Sequence, residues 1–273
     1  MSLSIVRSER VVLPDGARAA AIHIHDGRIV EIGNYSSLPA GVEMLDTGAL
    51  VVMAGVVDTH VHINEPGRSE WEGFRTATRA AAAGGVTTLV DMPLNSIPAT
   101  TTADAFDAKL QAAAGRCHVD VGFWGGLVPG NALDLEPLAR RGALGFKAFL
   151  SPSGVDEFEC VSEADLRKAM PILAALDRPL LVHAELPSAL LPIDAAADPR
   201  VYATWLNSRP PSSEVEAIEL LIRLTRDCGN ALHIVHLATP EPLPALRAAR
   251  REGLRITVET CPHYLSFCAE QIG

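Results

Sequence analysis

Three things are missing from this sequence, and each removes a class of function. Positive charge is not in excess: 23 Lys and Arg stand against 33 Asp and Glu, a formal net charge of −10 over 273 residues, the wrong sign for a general binder of phosphate backbones. No uncharged apolar run reaches the ~18 residues of a membrane span, and no basic start followed by an apolar core opens the chain. The five cysteines, Cys117, Cys160, Cys228, Cys261 and Cys268, contain no CxxC pair, so neither a disulfide framework nor a thiolate zinc site is implied. Nucleic acid and membrane are thus not expected partners, and a reducing cytoplasm is the expected compartment. What is present, 48% hydrophobic residues, is enough for a sizeable buried core.

The rhythm of those apolar residues changes along the chain. Up to about residue 52 there are short alternations, IVRSERVVL and AAIHIHDGRIVEIG, punctuated by Pro14, Asp15 and Gly16, by Asp26 and Gly27, and by Pro39, Ala40 and Gly41. That pattern predicts small antiparallel strands joined by hairpin turns. Beyond it, brief Val, Leu and Ile runs alternate with longer Ala-, Leu- and Arg/Glu-rich stretches, which predicts strands alternating with helices. Strands are expected near 49–60, 86–92, 119–128, 144–150, 179–185, 231–238 and 254–260, with helices over 70–83, 102–114, 163–175, 213–227 and 241–252. Chemically interesting residues end several of these strands, as in a (β/α)8 TIM-type barrel, whose active site gathers at the C-terminal face. The expected division is a small N-terminal β domain over 1–52 and a barrel over 53–273, with about seven of eight units present and the eighth strand absent.

Candidate chemistry starts with Asp58, Thr59, His60, Val61 and His62. Residues two apart in a strand point to one side, so His60 and His62 can converge on one ion; alone, they read more readily as two half-buried histidines bonded to backbone. His183 and His236 each end a very apolar strand, where an unpaired imidazole would be costly to bury, and four histidines closing strands at one face favour a metal site. His233, three residues before His236, is expected to face away and to be structural, as are His23, His25 and His118. Lys147 ends the apolar strand GFKAF, either as a snorkelling or salt-bridged lysine or as a desolvated neutral amine that takes up carbon dioxide to form a carbamate bridging two cations. Asp58 is expected to orient one of the ligand histidines. Gly84 and Gly85 read as relief of crowding at a helix-to-strand turn, and His263 as a rim residue.

DTHVHINEPG, GGVTTLVDMPLNS, GFKAF, LVHAE, HIVHLAT and ETCPHYL, in this order, resemble the cyclic amidohydrolases of the metal-dependent amidohydrolase superfamily, and within them the allantoinases. The resemblance runs from about residue 5 to the end. It implies a dinuclear site of two divalent ions, with zinc expected and cobalt, manganese or iron as alternatives. His60 and His62 would hold one ion, His183 and His236 the other, with a carboxylated Lys147 between. It also implies a small β-sandwich beside the barrel and a homo-oligomer, by resemblance a tetramer.

The same resemblance bears on substrate. Dihydroorotases of the group usually read HxHxRxPG followed by MPNT, the Arg and Asn holding the substrate carboxylate. Here Asn64 and Leu94 stand at those positions, which suits a neutral cyclic ureide such as (S)-allantoin, opened by water to allantoate. Asn95 is a candidate substrate contact, or a turn former after Pro93. The general-base Asp of the group would lie beyond Gly273, so no catalytic residue is expected within the chain, and its activity would be impaired unless the barrel is completed. The alternatives are a dihydropyrimidinase or hydantoinase-type ring hydrolase, and a non-catalytic truncated subunit.

Overall fold

A computed structural model describes residues 3–36, 39–194 and 196–272, and the chain divides into two units, Met1–Val56 and Val57–Gly273. In the first, β1 (Leu3–Leu13), β2 (Gly16–His25) and β3 (Arg28–Gly33) form two successive hairpins. Asp26 and Gly27 both have positive φ, 51° and 74°, the backbone that a two-residue turn between twisted strands requires. β4 (Glu43–Asp46) and β5 (Val51–Val52) complete the five-stranded sheet. Both run parallel to β1, against the antiparallel expectation. The strand is captured by its side chains: the Arg7 guanidinium grips Asp46 Oδ2 at 2.9 and 2.6 Å, and Thr47 Oγ1 donates to the Arg7 carbonyl at 3.0 Å.

The second unit strings β6 (Val56–Val61), α1 (Phe74–Ala83), β7 (Val86–Asp91), α2 (Ala103–Ala113), β8 (Asp120–Phe123), β9 (Gly125–Gly126), α3 (Leu135–Arg141), β10 (Phe146–Phe149), α4 (Glu163–Ala175), β11 (Leu180–His183), α5 (Tyr202–Ser208), α6 (Pro211–Cys228), β12 (Leu232–Ile234), α7 (Leu243–Arg251) and β13 (Ile256–Val258). Two sheets hold these strands in chain order, β6-β7-β8 and β9-β10-β11-β12-β13. Trp124 joins them, its N–H on the Asp91 carbonyl at 3.0 Å while Gly125 N–H meets the Gly145 carbonyl at 2.9 Å. The second sheet is parallel throughout, and helices separate the strands. This is the α/β pattern of a TIM-type barrel. Glycines at 125 and 126 let the wall close up: a Cβ on Gly126 would lie 2.6 Å from the Phe158 ring, and one on Gly125 2.7 Å from Phe146.

Strand alternation sorts the side chains. Phe146, Ala148, Leu180, Val182, Leu232, Ile234 and Ile256 join the large core shared with Leu166, Leu173, Ile218, Leu221 and Leu246 of the helices. The alternate set, Lys147, Leu181, His233 and Thr257, lies side by side in register on the other face. His233 thus shares a layer with Lys147 instead of pointing away. The chain leaves the strand after Ile234, and His236 takes a left-handed φ of 38°, so counting by two fails between 233 and 236.

Helix α1 starts four residues later than the pattern predicts because Glu65 sets its first turn: Glu65 Oε2 accepts the Phe74 N–H at 2.9 Å and Oε1 pairs with Arg116. Helix α3, absent from the pattern, ends at Gly142 with a φ of 115°. Lys109 of α2 and Asp91 at the end of β7 form an ion pair at 2.6 Å with side-chain exposures of 1% and 0%. Burial pushes the Asp91 carboxyl up to about 6 against the pull of Lys109. Removing one partner of such a pair strands the other charge, so Lys109→Ala should lower the unfolding free energy by about 3–5 kcal/mol in urea melts followed by circular dichroism. A loss under ~1 kcal/mol would mean that the pair is dispensable.

Candidate metal centre

The first histidine pair is held from both sides of the chain. After β6, Ile63 N–H donates to Asp91 Oδ1 at 2.6 Å, and Met92 N–H donates back to the Val61 carbonyl at 2.7 Å. The buried Asp91–Lys109 pair therefore fixes the backbone on which His60 and His62 sit. Their ring centroids are 5.5 Å apart, and His60 lies equally 5.5 Å from His236. His236 and His183 are 4.8 Å apart, with His183 Nδ1 3.2 Å from His236 Nε2. The four histidines that end three different strands thus form one continuous cluster. A non-glycine residue at positive φ costs of order 1–3 kcal/mol, and His236 bears that strain where the cluster needs its ring.

Lys147 forms the floor. Its side chain is 1% exposed; Nζ donates to the Ala148 carbonyl at 3.1 Å and lies 3.5 Å from the Phe149 ring centroid. Phe149 in turn stacks on His183 at 4.8 Å. Burial drives the Lys147 amine well below its ordinary pKa, opposed by the Glu259 charge. Burial also lowers His62 to about 4, with help from His60 and Lys147, and His236 to about 3, with help from His183 and Lys147. His183 falls for the same reason, opposed by Glu185. Neutral imidazoles and a neutral amine are the protonation states that bind metal and carbon dioxide.

Among the described residues, no three His, Cys, Asp or Glu side chains form a ready-made cage. The donor chemistry explains this, since the histidines come in two pairs and the group between them is an amine, which becomes an oxygen donor only as a carbamate.

Two glutamates that the pattern did not single out belong to the cluster. Glu185, two residues beyond the end of β11, accepts from His183 Nε2 at 2.7 Å and from Arg209 at 2.5 Å. Burial alone would raise its carboxyl, yet His183 and Arg209 bring it down to about 2. Glu259, just after β13, pairs with His60 Nδ1 and lies 3.3 Å from His233 Nε2, while His233 Nδ1 meets Thr257 Oγ1 at 2.8 Å. Asp58 does not orient an imidazole: its carboxylate accepts the backbone N–H of His60 at 3.0 Å. Asn95, left-handed at φ 71°, places its amide 3.4 Å from His62 Nδ1, and Arg68 donates to its carbonyl at 3.0 Å. His263 sits apart, against Tyr264.

The amidohydrolase family profile matches residues 51–261, the span that carries the four histidines, Lys147, Glu185 and Glu259. The chain belongs to the amidohydrolase family. It is 48% identical to an allantoinase of Streptomyces avermitilis over 98% of its own length and 60% of that protein, and 47% identical to a protein of Aquarana catesbeiana named allantoinase, mitochondrial, over 99% and 56%. Among solved structures it superposes on an L-hydantoinase (dihydropyrimidinase) from Arthrobacter aurescens with a TM-score of 0.89 at 33% identity, covering 99% of this chain and 60% of the other. The chain thus spans about three fifths of the relatives that it matches. No helix of the described residues is long and apolar enough to cross a membrane.

The depressed histidines give this amidohydrolase chain a pH signature in its metal-free state. Between pH 6.5 and about 4 the unfolded chain binds protons that the folded His62, His183 and His236 refuse, so their contribution is complete above pH 6.5 and is lost as pH falls through that window. The lowered Lys147 amine acts in the same sense as the three histidines, while two raised carboxyls, Asp91 below about pH 6 and Glu214, act in the opposite one. The thermal midpoint should therefore be lower at pH 5 than at pH 7, and His236→Asn should shrink the difference. A midpoint that rises on acidification would contradict the buried neutral cluster.

Proposed function

We propose that this chain carries the metal-binding part of an allantoin-opening hydrolase, in which a ring C–N bond of (S)-allantoin is cleaved by water to give allantoate. The observation that carries the reading is the Lys147 amine, buried and without a carboxylate partner among the described residues, beside the cluster of His60, His62, His183 and His236. His60 and His62 would hold one divalent ion, His183 and His236 a second, and Lys147 both. Zinc suits the imidazole-rich set, with cobalt, manganese and iron admitted by the same donors.

When bound, such ions would polarise the substrate carbonyl and supply a water of lowered pKa. The chain's own residues prepare for this. The neutral Lys147 nitrogen adds to the carbon of CO2, forming an N–C bond and releasing one proton to solvent, so an amine becomes a carbamate anion between the two histidine pairs. The two aspartates near the histidines are committed elsewhere, Asp58 to the His60 backbone and Asp91 to Ile63 and Lys109. The residue that moves the proton to the departing ring nitrogen is assigned, by the family resemblance, to a position beyond Gly273.

Substrate charge is the second element of the reading. Asn64 and Leu94 are buried and neutral, and Asn64 Oδ1 has no hydrogen-bond partner. A neutral ureide fits such a surface, whereas a carboxylate would find no cation at either position. Asn95 adds an amide beside His62 that would face an incoming ring. A hydantoinase-type activity is the second reading, favoured by the fold likeness to L-hydantoinase. The five-stranded N-terminal sheet is proposed as one layer of a small β-sandwich over residues 1–52, and the strands of 53–273 as seven units of an eight-unit barrel. The complete enzyme is proposed to be a cytoplasmic homo-oligomer, a tetramer by resemblance.

Metal per chain, by elemental analysis after purification with zinc and bicarbonate, tests the site, and calorimetric titration tests the substrate. The reading predicts two ions per chain, lost in Lys147→Ala, and binding of allantoin in preference to dihydroorotate and hydantoin. A chain without metal would contradict the site. Preference for dihydroorotate would contradict the substrate, and preference for hydantoin would establish the second reading.

A further inference from the structure

Each of the two histidine pairs has one member whose second ring nitrogen meets a glutamate. His60 of the first pair offers Nδ1 to Glu259, and His183 of the second offers Nε2 to Glu185 at 2.7 Å. A carboxylate can only accept, so each contact holds the imidazole proton on the nitrogen facing the glutamate and leaves the other nitrogen as a lone pair. For His183 that lone pair is Nδ1, which faces His236 Nε2 at 3.2 Å. For His60 it is Nε2.

We propose that Glu185 and Glu259 are positioning residues, one for each metal ion, that fix the tautomers of His183 and His60 so that their free nitrogens face the metal positions. The inference rests on the metal reading above and adds two residues that act through the ligands and do not touch the ions.

Each glutamate is itself anchored. Arg209 donates to Glu185 at 2.5 Å and is stacked on Trp205, its guanidinium carbon 4.5 Å from the ring centroid. Ser151 Oγ, from the segment after β10, reaches the same carboxylate oxygen at 3.4 Å. The stretch between β11 and α6 therefore has a task at the centre, since it brings Arg209 to the glutamate that orients His183. Glu259 spends its second oxygen on His233, which Thr257 holds from the other side. His233 then has a role in the shared layer that simple strand alternation denied it: it steadies the carboxylate that orients His60. Such outer partners raise ligand basicity and fix ring orientation, and their loss typically costs 10–100-fold in metal affinity.

Two measurements test the proposal on the full chain. In the metal-free protein at pH 7, two-bond nitrogen–proton correlation spectra of 15N-histidine, assigned through the backbone, should show His183 protonated at Nε2 and His60 at Nδ1. The opposite tautomer at either ring overturns the assignment, and this readout requires no variant to fold. In the second measurement, Co2+ is titrated against a chromophoric chelator in the presence of bicarbonate. Glu185→Gln should weaken one of the two ions about 10–100-fold and Glu259→Gln the other, each variant leaving its unaffected site at the wild-type affinity. Two ions bound by the wild type and bound equally by both variants would overturn the inference while sparing the metal reading. A wild-type chain that binds no ion overturns the metal reading and this inference with it.

Discussion

Burial where the fold puts it works against the charged form of the Lys147 amine. Nζ has a backbone carbonyl and an aromatic face for company, and Glu259, the charge that favours protonation, is outweighed by burial. A buried lysine without a counter-ion is expensive unless it is neutral, and nothing in the packing of β10 requires a lysine, since Phe146, Ala148 and Phe149 around it are apolar. The position therefore costs stability. The Phe149 ring carries that amine and backs His183, and His62, His183 and His236, close enough to feel its charge, are themselves held below the ordinary imidazole range by burial.

Backbone geometry, more than side-chain packing, brings the four histidines together. His60 and His62 depend on a hydrogen bond from Ile63 to Asp91, which is buried with Lys109 behind it. His236 depends on a left-handed residue at the exit of a three-residue strand. His183 is the simplest case, the last residue of β11, in register beside Phe149 of β10. Three strand ends thus use three different devices, and their convergence follows from the parallel order of the sheet.

Residue patterns were enough to predict the alternating α/β body and to pick out four histidines that the structure clusters and a lysine that it buries, because period-two runs ending in a polar residue report where strands end. They failed where the chain departs from its period. His233 was misread because the strand stops at Ile234 and the next residues turn. Parallel β4 and β5 were misread because alternation tells which face is apolar but not which way a strand runs, and the deciding contact, Arg7 with Asp46, spans 39 residues. Glu185 and Glu259 stood inside motifs already noticed, two residues after His183 and one after β13. Single-sequence spacing could have flagged Glu185, but the approach of Glu259 to His60 across 199 residues is purely tertiary. Asp58 was the nearer and more obvious partner for His60, and the structure gives it the backbone instead.

The central claim is that Lys147 reacts as a neutral amine. Carbon NMR of the chain incubated with 13C-bicarbonate and zinc tests it most directly, because a carbamate carbon is distinct from bicarbonate and from every protein carbonyl that lacks the label. The account predicts one labelled carbamate resonance that is absent from Lys147→Arg and that disappears when the metal is chelated. A wild-type spectrum showing only free bicarbonate would contradict it.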